Sequence, residues 1–192
     1  MIVFRFTAGA GSCAGSSVAA AAAGMPGAPV AFDLSQTQRV IITDPTDGNS
    51  LAGAFPSSVS TTNTTFTATP LTVTQSGYLQ TNYLTAGNSI LDGWTVNTNG
   101  YNMGNSVFLS LGVGPGYTTG NLSIWYSTGL YWGPYTPSDL SYDGTYANFT
   151  VTGLGSYAVT GVKVIPTPEP ATLVLLGLGA MGLLSRHRLS RR

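Results

Sequence analysis

The sequence predicts an all-β fold, a single antiparallel β-sandwich over residues 31–165. Three observations carry this. Short runs alternate apolar with hydroxyl-bearing residues, turn residues recur at intervals of about ten, and no run in this span shows a helical repeat.

In chain order, "TTFTATPLTVTQ" alternates threonine with Phe66 and Ala68, then with Leu71 and Val73 beyond the break at Pro70. This period of two, rich in β-branched residues, predicts a half-buried strand. "SVFLSLGVG" sets Val107, Leu109, Leu111 and Val113 on one face, and "NLSIWYS" sets Leu122, Ile124 and Tyr126 together opposite Trp125. "YANFTVTG" aligns Ala147, Phe149 and Val151, and "SYAVTGVKV" supplies a last strand. Asp143-Gly144 has the chemistry of a tight hairpin turn, and Asp92-Gly93 in "LDGWTV" reads the same way. Strands of this length and spacing suit a sandwich of jelly-roll or immunoglobulin-like type. The segment 1–30, with one early charge at Arg5, a small apolar Ala/Gly/Ser run and a cleavable stretch around Ala23, reads as a signal peptide.

Composition narrows the function. Charged residues are 7% of the chain, against roughly 25% in ordinary soluble domains, so contacts should depend weakly on salt. Between Val30 and Ile165 stand the aspartates 33, 44, 47, 92, 139 and 143 against Arg39 and Lys163. That mildly acidic balance excludes nucleic acid as a partner, because phosphate demands a basic footprint. The lone cysteine, Cys13, and the lone histidine, His187, both lie outside residues 31–165. A Ser-His-Asp triad, a thiol nucleophile or a His-based metal site in the domain is therefore excluded.

The aspartates do not restore catalysis. Asp44, Asp47, Asp92 and Asp143 sit beside glycine, proline or serine in turn-like contexts. Asp44, Asp47 and Asn49 in "TDPTDGNS" lack the spacing and the distal glutamate of a calcium loop. The expectation is a non-enzyme with no cofactor and no metal. One group suggests binding: Trp125, Tyr126, Tyr131, Trp132 and Tyr135 in "IWYSTGLYWGPY". Flat rings beside hydroxyls and amides suit sugar stacking. The plainer reading is that the same rings pack the sandwich, since aromatics are enriched in strands.

The carboxyl end is of another kind. Pro166, Pro168 and Pro170 hold an extended segment bearing Glu169. An uncharged apolar run, 171–184, follows; as a helix it spans about 21 Å, short of the roughly 30 Å of hydrocarbon in a bilayer. Extension into the basic tail 185–192, with Arg186, Arg188, Arg191 and Arg192 reaching the headgroups, completes a span. The arginines stay cytoplasmic, placing the preceding chain outside.

"PTPEPATLVLLGLGAMGLLSRHRLSRR" resembles the PEP-CTERM sorting signal of Gram-negative bacteria, with the Pro168-Glu169-Pro170 motif, the apolar helix and the basic end in order. "SDLSYDGTYANFTVTGLGSYAVTGV" is also similar to what precedes such signals. The resemblance implies that exosortase, an integral-membrane cysteine enzyme, recognises the motif and removes the tail. It further implies a precursor held transiently in the inner membrane by the C-terminal helix, then delivery to the cell surface or extracellular matrix. The expected function is that of a structural or adhesive surface protein. The alternative is a carbohydrate-binding module that takes exopolysaccharide on the 125–135 aromatic cluster.

Overall fold

A computed structural model describes residues 21–32, 37–57, 64–101, 105–129 and 131–163. Its strands are β1 (Ala22–Gly24), β2 (Val30–Phe32), β3 (Gln38–Thr43), β4 (Ser50–Phe55), β5 (Thr64–Pro70), β6 (Ser89–Asn99), β7 (Val107–Gly112), β8 (Leu122–Ser127), β9 (Gly133–Tyr135), β10 (Ser141–Tyr142), β11 (Tyr146–Val151) and β12 (Ser156–Gly161). Among the described residues one α-helix, α1 (Val73–Asn82), stands between β5 and β6, and a 3-10 turn, Thr119–Asn121, precedes β8. The strands form two six-stranded sheets, ordered β1-β3-β4-β7-β11-β10 and β2-β5-β6-β12-β8-β9. Pairing is antiparallel throughout except between β1 and β3, which run parallel. β1 and Val30 fall within residues 1–30, the segment read above as a leader.

The alternation read from sequence is what fills the space between the sheets. Val107, Leu109, Leu111, Ala147, Phe149 and Val151 of the first sheet are buried in one cluster with Phe66, Ala68, Leu122, Ile124 and Tyr157 of the second. Rings interlock across the gap: Phe55 meets Phe66 edge-on at 5.1 Å between centroids, and Phe149 meets Tyr157 at 6.1 Å. Burying such a side chain fully contributes about 1.5–3 kcal/mol. At Asp143-Gly144 the expected tight turn forms. Gly144 takes φ +99°, and the Asp143 carboxylate accepts from the amides of Thr145 (3.0 Å) and Tyr146 (2.8 Å).

Two expectations are corrected. The alternating run does not continue as strand past Pro70. Leu71 leaves the sheet and Val73 opens α1, its side chain 89% exposed. The cause is a capping box. Thr72 Oγ1 accepts from the Gln75 amide (3.2 Å), and the Gln75 side chain accepts from the Thr72 amide (3.0 Å). Leu79, fully buried, then fixes the helix to the outer face of the second sheet with Ala158 and Trp132. Thr72→Ala is expected to cost about 1 kcal/mol, read as a lower urea midpoint at unchanged slope. An unchanged midpoint would mean that Leu79 alone holds the helix.

Asp92-Gly93 is not a turn either. Both residues lie inside β6, which pairs with β5 and β12. Asp92 falls on the core side with Trp94 and Val96, two and four residues on, and the register shifts beyond it, opposite Val159 and Thr160, so that Leu91 bulges from the ladder. Gly93 answers to packing: a Cβ there would stand 2.4 Å from Leu71 Cδ1. Close approach of the chain leading into α1 explains this glycine, as positive φ does not.

Candidate functional site

The five aromatic residues of the 125–135 cluster are carried by β8, the loop after it, and β9 at the sheet edge, with Ile124 opposite Tyr135 and Tyr126 opposite Gly133. Strand alternation sends β8 side chains to opposite faces, and the structure divides the group accordingly. Tyr126 and Tyr135 turn inward. Tyr126 lies 4.9 Å from Tyr157 between ring centroids, and Tyr135 lies 5.8 Å from Tyr157 and 6.4 Å from Phe149. Their hydroxyls donate to the backbone oxygens of Leu154 (3.3 Å) and Thr150 (2.9 Å). Burial raises the Tyr157 hydroxyl far above the ordinary phenol range, with Tyr126 and Tyr135 adding to the rise. These rings are sandwich core.

The two tryptophans take the outer face, and α1 covers them. Trp132 is 5% exposed and packs with Leu79 and Ala158, with Leu71, Leu84 and Ile90 at the margin. Trp125, half-buried, donates its indole N–H to Thr160 Oγ1 at 3.0 Å and meets Tyr83 edge-on at 6.0 Å. Only Tyr131 of the five stands free in solvent, 77% exposed. α1 and its C-cap bring two tyrosines that sequence reading missed. Tyr78, 39% exposed, meets Tyr83 edge-on at 6.0 Å. Desolvation raises the Tyr78 hydroxyl, and the Tyr83 and Tyr131 hydroxyls add to the rise. The signal that could have found them was Thr72-x-x-Gln75, the capping box that begins the helix.

Carboxylates elsewhere serve the backbone. Asp44 Oδ1 accepts from the Thr46 amide (2.8 Å), Asp47 Oδ1 from the Asn49 amide (2.9 Å) and Asp139 Oδ1 from the Thr150 amide (3.0 Å). Among the described residues no three His, Cys, Asp or Glu side chains come close enough to hold a metal ion.

Asp92 differs from the rest. It is 7% exposed, and its Oδ1 accepts from the Trp94 indole N–H (3.0 Å) and the Gly93 amide (2.8 Å) while Oδ2 has no hydrogen-bond partner. Burial pushes this carboxyl up to about 7 against the pull of the Trp94 and Gly93 donors. Asp47 raises it a little further, and the Gly112 amide, which makes no aligned bond to it, pulls weakly downward.

The terminal candidates, Pro168, Glu169 and Pro170 with Arg186, Arg188, Arg191 and Arg192, lie outside the described residues, as do the apolar run 171–184, Cys13 and His187. Among the described residues no helix is long and apolar enough to cross a membrane. No curated protein is similar to the chain. The family comparison does reach the carboxyl end: the chain carries, at residues 166–192, the PEP-CTERM protein-sorting motif, which implies an exported protein sorted by exosortase.

Proposed function

We propose that this exported protein serves a structural or adhesive role at the cell surface or in the extracellular matrix. In this reading exosortase acts at Pro168-Glu169-Pro170 while the apolar helix and the four arginines hold the precursor in the inner membrane. The observation that carries it is the sorting motif joined, a few residues after β12, to a sandwich of very low charge. The aspartates of its turns are engaged with backbone amides, and the role proposed is non-catalytic.

The test is processing in the native host. The triple variant Pro168→Ala, Glu169→Ala, Pro170→Ala is expected to accumulate as the membrane-bound precursor, its terminal arginines still present by intact mass. The wild type appears shortened at the surface. Identical trimming and delivery of the two proteins would refute the sorting role of the motif.

A second reading, carbohydrate binding within an exopolysaccharide matrix, is favoured by one observation, the solvent-exposed ring of Tyr131. Of the cluster read from sequence, Trp125, Tyr126, Trp132 and Tyr135 support it less, since each packs within or against a buried cluster.

A further inference from the structure

We infer that the leader is cut at the Ala21–Ala22 bond or ahead of it, so that β1 survives as part of the exported domain. This rests on the export of the protein and moves the cut away from Ala23, where the sequence suggested it.

Small residues at the last and third-last positions of a leader are what a signal peptidase reads. The alanines 19–23 supply three such pairs in succession: Ala19 with Ala21, Ala20 with Ala22, and Ala21 with Ala23. Sequence alone leaves the choice among them open, and the structure makes it. Ala22, Ala23 and Gly24 pair in parallel with Val40, Ile41 and Ile42 of β3. A cut after Ala22 would take one of the three, a cut after Ala23 two, and each would leave that length of β3 as an uncovered edge.

Gly24 is fitted to this place. A Cβ on it would stand 2.2 Å from Val30 Cγ2, so the backbone of β1 lies directly against the first residue of β2. A residue thrown away with the leader would meet no such restriction. The chain between the two strands turns at Gly27, whose φ is +76° and whose amide donates to the Ala68 carbonyl of β5 at 2.8 Å. The Ala28 amide donates back to the Met25 carbonyl at 3.2 Å. Val30, Ala31 and Phe32 then pair antiparallel with Phe66, Thr65 and Thr64. Residues 22–32 thus form an arch from the edge of one sheet to the edge of the other, with Ala22 and Val30 packed on the core cluster between them.

Hydrolysis adds the hydroxyl of water to the alanine carbonyl carbon and a proton to the released nitrogen. Ala21 is exposed, so a chain that begins there keeps its new ammonium in water. A cut after Ala23 would set that charge on half-buried Gly24, inside the arch.

N-terminal sequencing and intact mass of the protein exported by its native host test this. The expected first residue is Ala22 or one ahead of it. A first residue at Ala23 or later would overturn the inference, as would an exported chain that still begins at Met1. A full-length chain confined to the cytosol would overturn the export reading as well. Gly24→Ala, which keeps a small residue in the stretch that the peptidase reads, should lower the urea midpoint of the exported protein by roughly 0.5–1 M. In a Val30→Ala background, where the facing methyl is gone, the same substitution should cost less. Equal losses in the two backgrounds would overturn the fit of β1 against β2 on which the inference stands.

Discussion

Between pH 4 and pH 8 the wild-type protein is expected to lose up to about 4 kcal/mol of stability through one residue, and Asp92→Asn to be spared that loss. The Asp92 carboxyl titrates at about 7 in the folded protein and at 3.8 when unfolded. Between those values the folded chain holds a proton that the unfolded chain has released. Stability therefore falls as pH rises through that window, and levels off above it. Burial is the cause, since the charged form must sit with Oδ2 unpartnered inside the sandwich. Asparagine keeps an oxygen for Trp94 Nε1 and carries no charge, so it imitates the protonated acid at every pH.

Urea unfolding of the two proteins at pH 4.5 and pH 8 checks this. They should be of similar stability at the lower pH, with the variant the more stable at the higher. A variant no better than wild type at pH 8 would show that the carboxyl ionises there without cost. The difference between the curves isolates Asp92 from every other titrating group.

Tyr157→Ala is expected to remove about 3–5 kcal/mol, enough to unfold much of the population of a marginal domain. Tyr157 is 1% exposed on β12, with Tyr126, Tyr135 and Phe149 within 6.1 Å between ring centroids, and its hydroxyl donates to the Gly153 carbonyl at 2.7 Å. Loss of that ring leaves a cavity where both sheets meet. Tyr157→Phe keeps the ring and should lose only about 1 kcal/mol with the hydrogen bond. Tyr131→Ala, by contrast, should lie within about 0.5 kcal/mol of wild type, as surface substitutions do. Denaturant midpoints for the three separate packing rings from solvent-facing ones. Equal losses at Tyr131 and Tyr157 would contradict the partition of the aromatic group.

The strands that face the core were legible because their alternation is local: Val107 to Val113 and Ala147 to Val151 each bury the face that sequence assigned. The turn at Asp143 was legible for the same reason. α1 was not, because its residues include Gly77 and three serine or threonine residues, and a single buried side chain, Leu79, holds it to the sheet. That omission spread. With no helix expected, nothing indicated that the outer face of β8 is covered, and Trp125 and Trp132 could be taken as exposed rings. At Asp92-Gly93 a turn-like pair was recruited by tertiary contacts, a bulge on one side and Leu71 on the other, that lie far along the chain. The sorting motif was fully legible, since its parts follow one another along the chain within residues 166–192.

β12 is the last strand among the described residues, yet it lies in the middle of its sheet, between β6 and β8. Until Ser156–Gly161 arrives, both neighbours present open edges and the second sheet is two separate halves. Pro168 follows Gly161 by seven residues, at most about 25 Å of chain. The second sheet can therefore be completed only once nearly all of the described chain is available to fold. Strand order thus makes closure of the second sheet a late event, set by the segment that stands just before the sorting motif.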